Sequence, residues 1–98
     1  MNTTQPACPE PCRALRAAHA AGLTPRAFVL YAALVFTRPD EYVSCADAAT
    51  MARLTPHETR FFAGELIRRG LLSRRKRHMA GGKPVPVAYR PVLEGAAA

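Results

Sequence analysis

Residues 44–72, SCADAATMARLTPHETRFFAGELIRRGLL, constrain the fold more than any other stretch, because they carry the start and stop signals of two helices joined by a tight turn. For the second helix, Thr55 is typical of an N-cap, and Pro56 suits the first helical position. Glu58 follows Thr55 by three residues, which is the spacing of a capping box. Gly70 is typical of the C′ residue that ends a helix.

The two faces of this second helix differ in chemistry. At roughly 100° per residue, one face is apolar or small and is expected to be buried; it holds Thr59, Phe62, Ala63, Leu66 and Gly70. The opposite face is polar and basic with one aromatic ring; it holds His57, Arg60, Phe61, Gly64 and Arg68. In the preceding helix, Ser44 is the expected N-cap, and Asp47 lies in the first turn, where negative charge favours the helix dipole. A close crossing of the two helices is allowed by three small residues, Ala48, Ala49 and Ala52.

The positive charge of the chain is unevenly distributed. The net charge is +7 over 98 residues. Residues 1–43 carry four arginines against three carboxylates, whereas residues 44–98 carry ten basic residues against four acidic ones. The basic half is therefore the half with the two-helix unit. A basic surface concentrated on one part of a domain is typical of proteins that bind nucleic acid.

The segment before residue 44 predicts two more helices. Residues 1–9 contain two prolines among polar residues and are expected to form a flexible arm. A first helix is predicted over residues 11–21, with Gly22 as its stop, and Thr24-Pro25 is a capped start for a second helix that runs to about residue 37. That second helix contains AFVLYAALVF and is apolar on all sides. It is either central to the core or shared with a second chain, and both can hold together.

After Gly70 the pattern changes to that of a β-hairpin. We predict a strand over residues 71–77, a glycine-bearing turn over 78–83 and a return strand over 84–91. Two prolines, Pro84 and Pro86, fit this strand if both face an unpaired edge. Farther along, the return strand is free to pair with a short strand near Tyr42. Residues 10–93 are thus predicted to form a single domain, with a frayed tail over 94–98.

This order of elements resembles the winged helix-turn-helix family, a mainly α fold with a small β-hairpin. The resemblance covers residues 24–91, and its most specific elements are Asp47-Ala48-Ala49, Leu54-Thr55, Leu66 and the closing Gly70-Leu71-Leu72. Two positions depart from the family pattern. A glycine is common where Arg53 stands, and a β-branched apolar residue is common where Thr59 stands. In size, the chain is similar to plasmid- or phage-type repressors of the Kor group.

The resemblance implies that the helix beginning near Thr55 enters the major groove of double-stranded DNA while the hairpin, or wing, lies along the backbone or in the adjacent minor groove. On that basis, Arg60 is the expected bidentate contact to guanine, His57 meets a base edge or a phosphate, and Phe61 touches a thymine methyl group. Close approach is allowed by Gly64, and Arg68 extends the basic face. Thr55 and the free N–H groups at the helix start are expected to hold a phosphate.

The wing carries the remaining candidate DNA contacts. They are Arg74, Arg75, Lys76, Arg77 and Lys83. A basic run of this kind is commonly just a solvated face, but after a helix-turn-helix and before a glycine turn it is expected to contact phosphates. A monomer of this size reads few base pairs, so we expect a homodimer on a palindromic operator. Occupying a promoter in this way would repress transcription.

Two other functions fit the same pattern. Winged helices also serve as protein-interaction modules, and an exposed Phe61 beside arginines suits that role. The other alternative is a plasmid or phage replication or partition factor that binds repeated sites. A footprint over an array of direct repeats would reveal this function.

Several classes of function are not indicated by the sequence. It contains no acidic pair, activated nucleophile or phosphate-binding glycine loop, so we expect no enzymatic activity, cofactor or small-molecule ligand. Three cysteines, Cys8, Cys12 and Cys45, do not follow a recognised zinc spacing, even with His19, and we expect no metal. No apolar run approaches the roughly 20 residues of a membrane span, and no signal peptide is evident. A cytoplasmic location is therefore expected.

Overall fold

A computed structural model describes residues 10–93, so the predicted arm over 1–9 and tail over 94–98 lie outside the described residues. Four helices and a small antiparallel sheet make up this part of the chain. In order, the elements are α1 (Glu10–Ala20), α2 (Pro25–Thr37), β1 (Val43–Ser44), α3 (Cys45–Ala52), α4 (Pro56–Arg68), β2 (Leu72–Arg75), β3 (His78–Ala80), β4 (Lys83–Val85) and β5 (Ala88–Pro91).

Helix α2 forms the centre of the core and contacts α1, α3, α4 and β5. Its bounds match the prediction, because Thr24-Pro25 and Pro39 limit it on both sides. The buried side of α2 consists of Ala27, Leu30, Tyr31, Leu34 and Val35. The other side is not enclosed by the described chain: Val29 is 47% exposed and Phe36 is 70% exposed. The all-apolar helix is thus a core helix with one uncovered face.

The predicted cap of α2 is corrected in one respect. Thr24 has the extended backbone of an N-cap residue, but its side chain makes no capping hydrogen bond. Instead, its hydroxyl and its backbone N–H each donate to the Glu65 carboxylate at 2.9 Å. The Thr24 hydroxyl therefore donates to a long-range acceptor on α4 instead of accepting from a local backbone N–H, and this contact ties the start of α2 to α4.

The turn between α3 and α4 has an unusual backbone at Arg53. Ser44 caps α3 as predicted, accepting the Asp47 N–H at 3.1 Å. At the other end of α3, Arg53 adopts the left-handed conformation, with φ 58° and ψ 46°. Among residues 10–93, Arg53 alone of the non-glycine residues has a positive φ. The sequence has no glycine at this position, yet the tight turn is retained.

Helix α4 has the capping box that its sequence predicts. The Thr55 hydroxyl accepts the Glu58 N–H at 3.1 Å, and the Glu58 carboxylate accepts the Thr55 N–H at 2.9 Å. Gly70, with φ 74°, ends the helix through a Schellman motif. In this motif Gly70 donates to the Ile67 carbonyl at 3.0 Å and Leu71 donates to the Leu66 carbonyl at 2.9 Å.

The predicted buried face of α4 is correct for three residues and wrong for one. Thr59, Ala63 and Leu66 are buried, and Phe62 is partly buried. Gly70 is exposed, because the left-handed residue that ends the helix turns the chain away from the core. The Thr59 hydroxyl donates to the Thr55 carbonyl at 2.9 Å, which satisfies this buried polar group.

The β structure differs from the single hairpin that was predicted. Strand β5 lies between β1 and β2 in a three-stranded sheet, with Val43 and Arg74 both opposite Tyr89. The predicted pairing of the return strand with the strand near Tyr42 is therefore confirmed.

A separate two-stranded hairpin, β3–β4, extends beyond this sheet. The predicted turn over 78–83 is mostly strand, and only Gly81 and Gly82 form the turn. Both glycines have positive φ, as a type I′ turn requires. Within the hairpin Pro84 lies opposite Met79, whereas Pro86 lies between β4 and β5 and interrupts the predicted return strand.

Candidate nucleic-acid interface

A groove of about 220 Å³ lies between α4 and the strands that follow it. We call it the basic groove because four of its lining side chains are cationic. Helix α4 contributes Arg60 from its outer face, and the segment after α4 contributes Arg74, Lys76 and Arg77. The remaining lining residues are Gly64, Ile67, Val87 and Tyr89. Residues that are far apart in the sequence, and that were predicted separately for the helix and the wing, therefore share one concave surface.

The electrostatics of the basic groove favour an anionic ligand. Within the described part of the chain, no acidic side chain lines it. Tyr89 lies buried at the groove, directly opposite Arg74 in the antiparallel register. Burial raises the pKa of the Tyr89 hydroxyl, as does the neighbouring Cys45 side chain, and the positive charges of Arg74 and Arg60 oppose that rise. Arg60 and Arg74 line the same groove from two different elements.

A second depression extends the basic groove toward the start of α4. Its volume is about 490 Å³, and both Arg60 and Arg77 line it as well as the basic groove. Its other lining residues come from the start of α3, the start of α4, strand β4 and the segment between β4 and β5: Ser44, Cys45, Ala46, Pro56, Pro84, Pro86 and Val87. The cationic surface is therefore continuous from the first turns of α4 to the hairpin.

Arg75 does not join the basic groove, although it was predicted for the wing. Successive residues of a strand face opposite sides of the sheet, so Arg75 points away from Arg74. Its guanidinium lies 5.1 Å from the ring centroid of Tyr42, and that of Arg90 lies 5.3 Å from the same centroid. The Nε atom of Arg75 is buried without a hydrogen-bond partner. This arginine packs on the outer face of the sheet.

The other residues of the predicted outer face of α4 are on the surface, as expected. His57, Phe61 and Arg68 are exposed, and Phe61 is 66% exposed with its ring edge against Phe62. A Cβ atom at Gly64 would lie 3.5 Å from the Arg68 side chain, which is an ordinary contact. Internal packing therefore does not require a glycine at this position.

Lys83 is exposed at the start of β4, on the hairpin beyond the groove. It does not line the basic groove with the other predicted wing residues.

The start of α4 is less suited to a phosphate than the sequence predicts. Both the N–H and the hydroxyl oxygen of Thr55 are engaged with Glu58 in the capping box. The Glu58 carboxylate also forms an ion pair with Arg26 of α2. Its pKa is lowered, chiefly by the hydrogen bond from the Thr55 N–H, so it stays charged. A phosphate at this helix start would meet a carboxylate that already occupies the position.

Tyr89 lines the groove although no pattern in the sequence predicted it there. The signal that finds it is strand register, because placing Arg74 opposite Tyr89 requires the pairing of β2 with β5.

Comparison with known proteins gives no match for this chain among protein-family models, curated proteins or solved structures. In the described range 10–93, no helix has the length and apolar character needed to cross a membrane. The same residues contain no group of three or more His, Cys, Asp or Glu side chains arranged to hold a metal ion.

Proposed function

We propose that this protein is a winged helix-turn-helix DNA-binding regulator that represses transcription by binding a palindromic operator as a homodimer. The observation that carries the proposal is the basic groove. A recognition helix and a wing act together only if their cationic side chains face the same surface, and Arg60 of α4 lines one groove with Arg74, Lys76 and Arg77. DNA offers a dense row of phosphates to such a surface.

The order and packing of the elements support the same proposal. Helices α3 and α4 contact each other across the tight turn at Arg53, and α4 contacts β2. The outer face of α4 is exposed along its length, and a single helix of this kind fits the major groove of B-DNA. The β3–β4 hairpin adjoins this cationic surface, because Arg77 of the basic groove immediately precedes β3 and Pro84 of β4 lines the second depression with Arg60 and Arg77.

These positions suggest a division of roles. Arg60, His57 and Phe61 on the outer face of α4 are the proposed base contacts. The proposed phosphate contacts are Arg74, Lys76, Arg77 and Lys83. Arg75 is left out of this set because it packs on Tyr42.

The test is a comparison of matched arginine variants in DNA binding. Operator-like sequences are first selected from a random DNA pool with the wild-type protein. Binding of Arg60→Ala, Arg74→Ala and the control Arg38→Ala is then measured on the selected duplex and on a scrambled one. Arg38 follows α2 and does not line the basic groove.

We expect Arg60→Ala to lose roughly 10- to 100-fold in affinity for the selected duplex and little for the scrambled one, since a bidentate base contact contributes about 1–3 kcal/mol of discrimination. Arg74→Ala should weaken binding to both duplexes alike, and Arg38→Ala should weaken neither. If the wild-type protein binds no duplex even at low salt, the proposed function is wrong.

One observation favours a second candidate, a protein-interaction module. Phe61 on α4 and Met79 on the hairpin are each 66% exposed. Large exposed apolar side chains beside cations also suit a protein partner. Loss of partner binding in Phe61→Ala, together with no mobility shift on genomic DNA fragments, would favour this function over DNA binding.

A further inference from the structure

The uncovered side of α2 has a regular composition. It lies half a helical turn away from the buried side and carries Val29, Ala32, Ala33 and Phe36. Val29 is 47% exposed and Phe36 is 70% exposed, whereas the two alanines between them are half-buried. We call these four residues the α2 outer stripe. The stripe has large side chains at both ends and small ones in the middle.

Two depressions between α1 and α2 flank the α2 outer stripe. The one beside Val29 has a volume of about 370 Å³ and is lined by Ala18, His19, Leu23, Pro25 and Phe28. The one beside Phe36 has a volume of about 510 Å³ and is lined by Cys12, Leu15, Arg16, His19 and Phe28. His19 and Phe28 line both, with their ring centroids 5.9 Å apart. Each end of the stripe therefore adjoins a largely apolar recess.

We infer that the α2 outer stripe binds the same stripe of a second copy of this chain, with the two α2 helices antiparallel. The midpoint between Val29 and Phe36 falls between Ala32 and Ala33. A two-fold axis through that midpoint places Phe36 of each copy against Val29 of the other, at the recess beside it, while the small alanines let the helices approach closely. Such self-complementarity is what a two-fold symmetric interface requires.

The α2 outer stripe offers no charge that a charged partner could pair with. Each copy carries a net charge of +7, so two copies repel one another, and this repulsion is smaller where the contacting side chains are uncharged; Arg16, in the recess beside Phe36, is the charged residue nearest the stripe among those that line the two recesses. Residues 27–37 of α2 contain no charged side chain. Helix α4 packs on α2 from the buried side, so this pairing leaves the basic groove open. The existence of a homodimer is taken from the proposed function, on which this inference rests. The inference specifies the surface that forms the dimer.

Sedimentation of the full chain tests the interface with two phenylalanines of similar exposure. Phe36→Glu places a charge in the α2 outer stripe, and Phe61→Glu places the same charge on the outer face of α4 as a matched control. We expect wild-type protein and Phe61→Glu to sediment as dimers. Phe36→Glu should weaken dimerisation by about 30-fold or more, as expected for loss of an aromatic anchor and burial of a charge in its place.

A cross-linking measurement keeps the inference testable if Phe36→Glu fails to fold. In a background where Cys8, Cys12 and Cys45 are serine, Ala33→Cys should form an intermolecular disulfide on mild oxidation, because residue 33 lies next to the two-fold axis and its two copies are therefore close to each other. Ala46→Cys, exposed at the start of α3, is the control and should stay largely monomeric. Equal cross-linking of the two variants would refute this interface.

The remaining outcomes separate the interface from the proposed function. A wild-type chain that stays monomeric, or a Phe36→Glu variant that dimerises normally, overturns the interface. If the wild-type chain is monomeric but dimerises once residues 1–9 are removed, the interface is also overturned, because those residues would then be the occupant of the stripe. A monomer that still binds a single half-site leaves the DNA-binding proposal standing, and a dimer that binds no duplex overturns only that proposal.

Discussion

Replacing Arg53 by glycine should stabilise this protein. Arg53 is held at φ 58° and ψ 46° in the turn between α3 and α4. Its N–H reaches the carbonyls of Ala49 and Thr50, and the next N–H, that of Leu54, donates to Ala49 at 2.9 Å. These bonds keep the residue in the left-handed conformation. A residue with a Cβ atom adopts that conformation at a cost, whereas glycine does not.

The size of the effect follows from two opposing terms. The left-handed conformation costs an L-residue about 1–2 kcal/mol. Glycine avoids that cost but loses about 0.5–1 kcal/mol more chain entropy on folding. The free energy of unfolding should therefore rise by roughly 0.5–1 kcal/mol, which for a domain of this size raises Tm by about 2–8 °C.

The assay is thermal unfolding followed by far-ultraviolet circular dichroism at one protein concentration, since the proposed dimerisation would make Tm depend on concentration. Arg53→Ala is the matched control, because it removes the same charge while keeping the Cβ atom. We expect Arg53→Ala to lie close to the wild type and clearly below Arg53→Gly. If the glycine variant is no more stable than the alanine variant, the backbone at this turn is not strained and the reasoning is refuted.

Three further predictions concern α4 and the basic groove. Thr55→Ala should lower the free energy of unfolding by about 1 kcal/mol, while Thr55→Ser keeps the cap and stays near wild type in urea titrations. The lowered pKa of Glu58 contributes stability above the ordinary carboxyl pKa of 4.5, and this contribution is lost as the pH falls through the lowered value. Across that acid range Glu58→Gln should therefore lose less stability than wild type, and parallel curves would contradict this. Arg74→Ala and Lys76→Ala should each make the plot of log affinity against log salt shallower by about 0.9 in fluorescence anisotropy, and an unchanged slope would exclude that residue as a phosphate contact.

Local signals predicted those parts of the fold that depend on neighbouring residues. The capping box of Thr55 and Glu58 and the left-handed end at Gly70 both formed as predicted, because each is closed by hydrogen bonds within a few residues. Thr24 has the same type of signal, yet its hydroxyl binds Glu65, 41 residues away. No local pattern contains that competitor, and so the sequence could not predict it.

The hairpin shows the same limit in the strands. Alternating residues predicted two strands, but the pattern contains no information on where the pairing partner changes. Strand β5 pairs with both β1 and β2, and the chain leaves this sheet at residues 76–77 to form a separate hairpin. Side-chain direction along β2 depends on that register, which is why Arg75 packs on Tyr42 while Arg74 lines the basic groove.

The sequence by itself determined the helix limits, the amphipathic character of α4, the apolar character of α2 and the uneven charge, because these properties depend on residues within a few turns of one another. Only the tertiary structure decided which cationic side chains line the same groove. Arg60 and Arg77 are 17 positions apart in the chain, and they share a groove because β2 packs against α4 and pairs with β5. The tertiary structure likewise decided that one side of the apolar helix α2 stays uncovered. Burial of that side depends on which elements pack against α2 rather than on the helix's own residues.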